Sequence, residues 1–172
     1  MNVPQQLETK RLTLRRLVEN DIQPFHTFLS DPDSTRYMAF SDEQKTQDGA
    51  AMMVQATISS YDTDDAIFVL AITLTDTGEY IGSLGASPDP EADAIEIFYT
   101  LLPDYRGKGF AIEATQKLVE YLQKVEKASR ITAYVVTENL PSIKVAERLG
   151  MTFDVTVTRE GLKGSRYILV GD

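Results

Sequence analysis

The chain contains no cysteine and a single histidine, His26. The first absence removes disulfide frameworks, thiolate zinc sites and cysteine nucleophiles. The second leaves too few imidazoles for the usual histidine-rich metal sites or a histidine-centred triad, so no metal is expected. Long apolar runs are missing too. The longest spans Ala66 to Ile72, far too short to cross a bilayer, and the opening MNVPQQLETKRLTLRR lacks the apolar stretch of a secretory signal. With the missing cysteines, this predicts a cytoplasmic protein with no membrane partner. Positive charge is scarce: 17 Lys and Arg face 26 Asp and Glu, a net charge of −9, so the average surface repels phosphate backbones and nucleic acid is not expected as a partner. An acidic surface suits an amine substrate, but it is also common among enzymes with no such substrate.

What is present suffices for a folded core. Of 172 residues, 42% are hydrophobic, and with no repeat or linker-like stretch the chain reads as one domain over residues 1–172. Leu12 to Leu17 predicts a first strand, followed by a helix capped by Asn20-Asp21 with Ile22, Phe25 and Leu29 on one face. A second helix is expected from Asp42 to Ser60, weakened by Gly49, with PDSTRYMAFSD as the loop between. Ala66 to Thr73 and Glu79 to Ser83 read as a hairpin turning at Asp76 and Gly78. A strand from Ala94 leads to Pro103, and apolar residues from Ala111 to Val125 recur at helical spacing to about Lys127. Arg130 to Val136 is a further strand, and strand, helix and strand in succession place the two strands parallel. A short helix between Asn139 and Gly150 and two closing strands, Met151 to Thr158 and Arg166 to Val170, complete an α+β chain with a mixed sheet.

Between the strand from Ala94 and the long helix lies Pro103-Asp-Tyr-Arg106-Gly107-Lys108-Gly109-Phe110-Ala111. Two glycines at a strand-to-helix junction let successive N–H groups converge, and the helix N-terminus adds partial positive charge, a combination that binds phosphate. No G-x-x-x-x-G-K-[ST] run exists, and the dinucleotide fingerprint fails where Ile112 replaces its last small residue. A glycine-rich turn that merely starts a helix remains the alternative.

Arg106 to Ala111 matches the pyrophosphate signature [RQ]-x-x-G-x-[GA] and thereby resembles the GNAT N-acetyltransferases. Leu101 to Gly107 resembles the family's approach to that loop, and Asn139 to Met151 its helix-to-strand segment, with Met151 where phenylalanine is usual. Leu7 to Arg15 is similar to the start of the ribosomal-protein-alanine (Rim-type) group. The resemblance implies a mostly antiparallel twisted sheet flanked by helices, its one parallel pair splayed at the cofactor site. It implies direct transfer of acetyl from acetyl-CoA to a primary amine, a protein N-terminus or a small molecule, by a monomer or homodimer. A catalytically silent acyl-CoA-binding module of the same fold and an unrelated nucleotide-binding domain are the alternatives.

By position, the resemblance carries roles to particular residues. The backbone of Leu101 and Leu102 would meet the pantetheine and offer an oxyanion donor, and amides of Arg106, Gly107, Lys108, Gly109, Phe110 and Ala111 would hold the pyrophosphate. Glu96, or a water chain, would take the amine proton. The tyrosine that many relatives use as the acid is absent, because Ala146 stands there. Ser142 is the nearest hydroxyl, able to donate to the thiolate but a poor acid alone; a first-turn serine satisfying helix amides is the competing reading. Asn139 is divided between helix cap and cofactor contact, and Lys144 and Arg148 between ribose phosphate and solvent. Tyr37, Met38 and Phe40 would line the acceptor pocket or pack in the core. His26 reads as a surface residue.

Overall fold

The computed structural model describes residues 1–89 and 91–171. In chain order the elements are β1 (Gln6–Glu8), β2 (Leu12–Arg16), α1 (Ile22–Ser30), α2 (Pro32–Thr35), α3 (Gln47–Ser60), β3 (Phe68–Leu74), β4 (Tyr80–Asp89), β5 (Ala94–Leu101), α4 (Phe110–Lys124), β6 (Arg130–Val136), α5 (Leu140–Arg148), β7 (Thr152–Arg159) and β8 (Leu162–Val170). The strands form one sheet in the order β1-β2-β3-β4-β5-β6-β8-β7. All neighbours are antiparallel except β5 and β6. The sheet is therefore mixed with one parallel pair, as expected, and no helix among the described residues is long and apolar enough to cross a membrane.

The main core lies where alternate residues of the central strands meet α4. Leu12, Leu14, Leu70, Ile72, Leu84 and Ile131 pack with Leu118 and Leu122 of α4, every one of them buried. Removing each such side chain from water contributes roughly 2 kcal/mol. A smaller cluster of Phe28, Leu29 and Ala50 joins α1 to α3.

Several local expectations change. A short strand, β1, precedes the first one expected. Asp21 does not cap α1; it is buried and takes Nη1 and Nη2 of Arg15 at 2.7 and 2.9 Å, because a carboxylate that deep needs a cation more than a helix end needs a cap. The second helix begins at Gln47 and not at Asp42, since Thr46 Oγ1 accepts from Gly49 N at 3.0 Å and sets the start there. The stretch expected as loop holds the single helical turn α2. The last strand is longer than expected because Glu160 and Gly161, both at positive φ (49° and 82°), make a tight hairpin turn that lets β8 begin at Leu162. β4 runs on through Pro88, which is tolerated because β3 pairs with β4 only as far as Ala86, leaving Pro88 with a partner on one side alone.

Candidate active site

The parallel pair is short. Ile95 and Glu96 face Ile131 and Thr132, and beyond them β5 continues to Leu101 and β6 to Val136 without pairing to each other, each held only on its far edge by β4 or β8. The strands part into a wedge whose walls carry backbone groups with no strand opposite. Successive residues of a strand turn those groups to alternate edges. Leu102 N donates to Ile81 O on the β4 side at 2.9 Å, so Leu101 turns its own toward the opening. Of the two residues expected at the pantetheine, Leu102 thus has its N–H already bonded within the sheet, and Leu101 is the one whose N–H faces the opening.

At the mouth of the wedge the chain makes a 3-10 turn, Pro103 to Tyr105, and then the glycine loop. Arg106 N is used by Pro103 O at 3.2 Å, so the expected run of open amides starts one residue later. From Gly107 to Ala111, no main-chain N–H has an acceptor among the described residues. Gly107 and Gly109 sit at φ 72° and 81°, which L side chains adopt only under strain, and Gly109 is the first residue before α4. Such a run at a helix N-terminus fits a diphosphate. The Arg106 side chain turns inward: Nε and Nη2 donate to Leu101 O at 3.1 and 3.0 Å, and Nη2 also reaches Ser34 Oγ at 2.6 Å. It clamps the loop to the end of β5.

A second support escaped the sequence reading. Arg11, the residue just before β2, donates from Nη1 to Lys108 O (3.1 Å) and from Nε to Glu113 Oε2 (2.7 Å), and stacks 4.5 Å over the Phe110 ring. Glu113 Oε1 also takes Arg11 N and Thr9 Oγ1. Burial pushes the Glu113 carboxyl up, but the bonds from Thr9 and Arg11 outweigh it and hold it below its usual range. The one carboxylate in the first turn of α4 is thus neutralised beside the open amides of the glycine loop. Nothing local could reveal this contact, since 102 positions separate the partners.

On the opposite wall, Asn139 caps α5, accepting from Ser142 N at 3.4 Å. The Ser142 hydroxyl is therefore not needed as a cap, and Oγ instead accepts from Tyr99 Oη of β5 at 3.0 Å. Burial is the largest influence on the Tyr99 phenol and pushes it up. Ala146, one turn on, is buried, while Lys144 and Arg148 are exposed. Glu96 lies at the last parallel pair, and Arg159 Nη1 holds its Oε2 at 2.6 Å while the guanidinium lies 4.9 Å from the Tyr134 ring centre. Met38 and Phe40 pack, partly buried, against Phe28, Leu29 and Ala50. Tyr37 Oη points to Glu138 O at 3.4 Å, so α2 with the residues just after it reaches from Arg106 of the glycine loop, through Ser34, to the loop after β6. His26 pairs with Ser30 on its own helix.

Residues 11–152 match the acetyltransferase (GNAT) domain family. The uncharacterized N-acetyltransferase p20 of Bacillus licheniformis is 37% identical over 147 residues, 83% of this chain and 80% of that one. Among solved structures, an acetyltransferase of Agrobacterium tumefaciens superposes with a TM-score of 0.81 at 25% identity, covering 99% of this chain and 96% of its own. A ribosomal-protein-alanine acetyltransferase of Vibrio fischeri gives 0.76 at 17%, with 97% of each chain covered, a likeness of fold alone. A wedge opened by two diverging parallel strands, a loop of free amides at its mouth and a match over most of the chain converge: this protein belongs to the GNAT acetyltransferases, enzymes whose acetyl donor is acetyl-CoA.

Proposed function

We propose that the chain, acting as one domain in the cytoplasm, transfers acetyl from acetyl-CoA directly to a primary amine, on a protein N-terminus or a small molecule. The observation that carries this reading is the run of unengaged amides from Gly107 to Ala111 beside the unpaired edge of β5. These amides suit the diphosphate, and Lys144 is free to approach the ribose phosphate. We assign the Leu101 N–H as the donor to the oxyanion formed as nitrogen attacks the thioester carbon. Asn139 acts by fixing the start of α5 and so the position of Ser142.

An ammonium substrate must shed one proton before it attacks, and Glu96 is the group we assign to this, directly or through water. Its tie to Arg159 makes the hairpin of β7 and β8 a neighbour of the acceptor. We assign Tyr37, whose Oη reaches Glu138 O in the loop after β6, to meet the incoming amine, with Met38 and Phe40 supporting that wall against Phe28, Leu29 and Ala50. The similarity of Leu7 to Arg15 to the Rim-type group favours a protein N-terminus among the acceptors.

The test is thiol release from acetyl-CoA with a panel of amines that includes N-terminal peptides, polyamines, aminoglycosides and amino acids. Turnover with at least one acceptor is expected, together with CoA binding at least tenfold weaker in Gly109→Ala, where φ is +81°. If Glu96 is the base, Glu96→Gln lowers turnover about 100-fold near neutrality, with part regained at higher pH where the free amine is already abundant. No CoA binding, or equal binding by the glycine variant, would refute the reading.

A further inference from the structure

Ser142 presents a problem of orientation. A hydroxyl has one hydrogen to give and rotates freely, so alone at a wedge wall it spends much of its time pointing away from any given acceptor. Here Tyr99 Oη donates to Ser142 Oγ at 3.0 Å. With the phenol's hydrogen occupying one lone pair, the serine's own hydrogen must go elsewhere. No helix carbonyl takes that hydrogen, because Ser142 Oγ donates to nothing among the described residues, and the Ser142 N–H is separately taken by Asn139 through side chain and main chain. Tyr99 lies on β5 past the last parallel pair, so the bond crosses the wedge from strand to helix. Burial pushes the phenol up, which keeps it a donor throughout the neutral range.

We propose that Tyr99 is a positioning residue that holds the Ser142 hydroxyl as a hydrogen-bond donor to the departing sulfur, and that this pair replaces the missing tyrosine at Ala146. This rests on the proposed amine acetyltransfer. The C–N bond forms, the C–S bond breaks with its electron pair on sulfur, and Ser142 steadies that thiolate without losing its own proton. The proton that completes the thiol is the second one lost by the attacking nitrogen; the first has gone to Glu96 or water. The phenol keeps its hydrogen throughout.

Two measurements test this. In steady-state kinetics, Tyr99→Phe, which keeps the ring, is expected to lower kcat about tenfold with KM for acetyl-CoA changed less than twofold. Ser142→Ala should lower kcat at least as much, and Tyr99→Phe should add nothing in the Ser142→Ala background, while Ser142→Thr should retain activity. In titrations of bound CoA followed by thiolate absorbance, which need no acceptor, the wild type should ionise the thiol at lower pH than Tyr99→Phe or Ser142→Ala. CoA that binds but titrates alike in all three proteins, or a Tyr99→Phe effect that multiplies fully with Ser142→Ala, overturns the positioning role alone. Failure to bind CoA overturns the acetyltransferase reading, and this one with it.

Discussion

Arg11 and Glu113 meet although 102 positions separate them in sequence, and the first does two jobs at once: it neutralises a carboxylate beside the glycine loop and holds Lys108 O of that loop. Arg11→Ala is expected to raise KM for acetyl-CoA about tenfold, the equivalent of ~1.4 kcal/mol, with kcat nearly unchanged. An unchanged KM would show the bond to be dispensable. The Arg15 and Asp21 pair belongs to stability. Arg15→Ala leaves a buried carboxylate without its cation and should cost about 3 kcal/mol, read as a fall in Tm of roughly 10 °C. The glycine loop and its open amides were legible because its glycines and the helix after it are contiguous in sequence. Arg11, Tyr99 and Arg159 were not, because their roles depend on partners that only the folded sheet brings close.

Among the elements, those with strong periodicity read directly: β6 spans Arg130–Val136 as expected, and α4 differs mainly in ending at Lys124 and not near Lys127. Those governed by one capping contact or a tight turn did not, hence the late start of α3 and the early start of β8. Gly49 shows the same limit. Helix propensity favours replacing it with alanine by about 1 kcal/mol. A Cβ there would lie 2.2 Å from Glu43 O and 2.8 Å from the Gln44 Cα, both backbone atoms of the turn that leads into α3. Gly49→Ala should therefore lower stability, by about 1 kcal/mol net, since crowding of this kind costs roughly 2 kcal/mol. A thermal melt that rises instead would mean the turn can move aside.

For the molecule as a whole, the pH range of stability follows from a few buried groups. Tyr61, Tyr80 and Tyr99 are raised above the ordinary tyrosine value of 10.0, chiefly by burial. The folded chain keeps these protons when the unfolded chain has released them. Their contribution is complete below pH 10.0 and is lost as pH rises from there toward the folded values. Glu113 has the opposite sign: its contribution is present above 4.5 and is lost as pH falls through its lower folded value. Melting temperature should be flat near neutrality and fall on both flanks; a Tm that held steady above pH 10 would contradict the tyrosine argument.

The sheet's strand order also bears on how the protein is made. β8 lies between β6 and β7, although β7 is translated first. Until β8 has left the ribosome, β6 exposes a bare hydrogen-bonding edge beside the wedge, and β7 has no partner. A nonsense mutation within β8 should therefore yield insoluble, chaperone-bound chains and not a shortened enzyme, even though the glycine loop, Tyr99 and Ser142 would all have been synthesised.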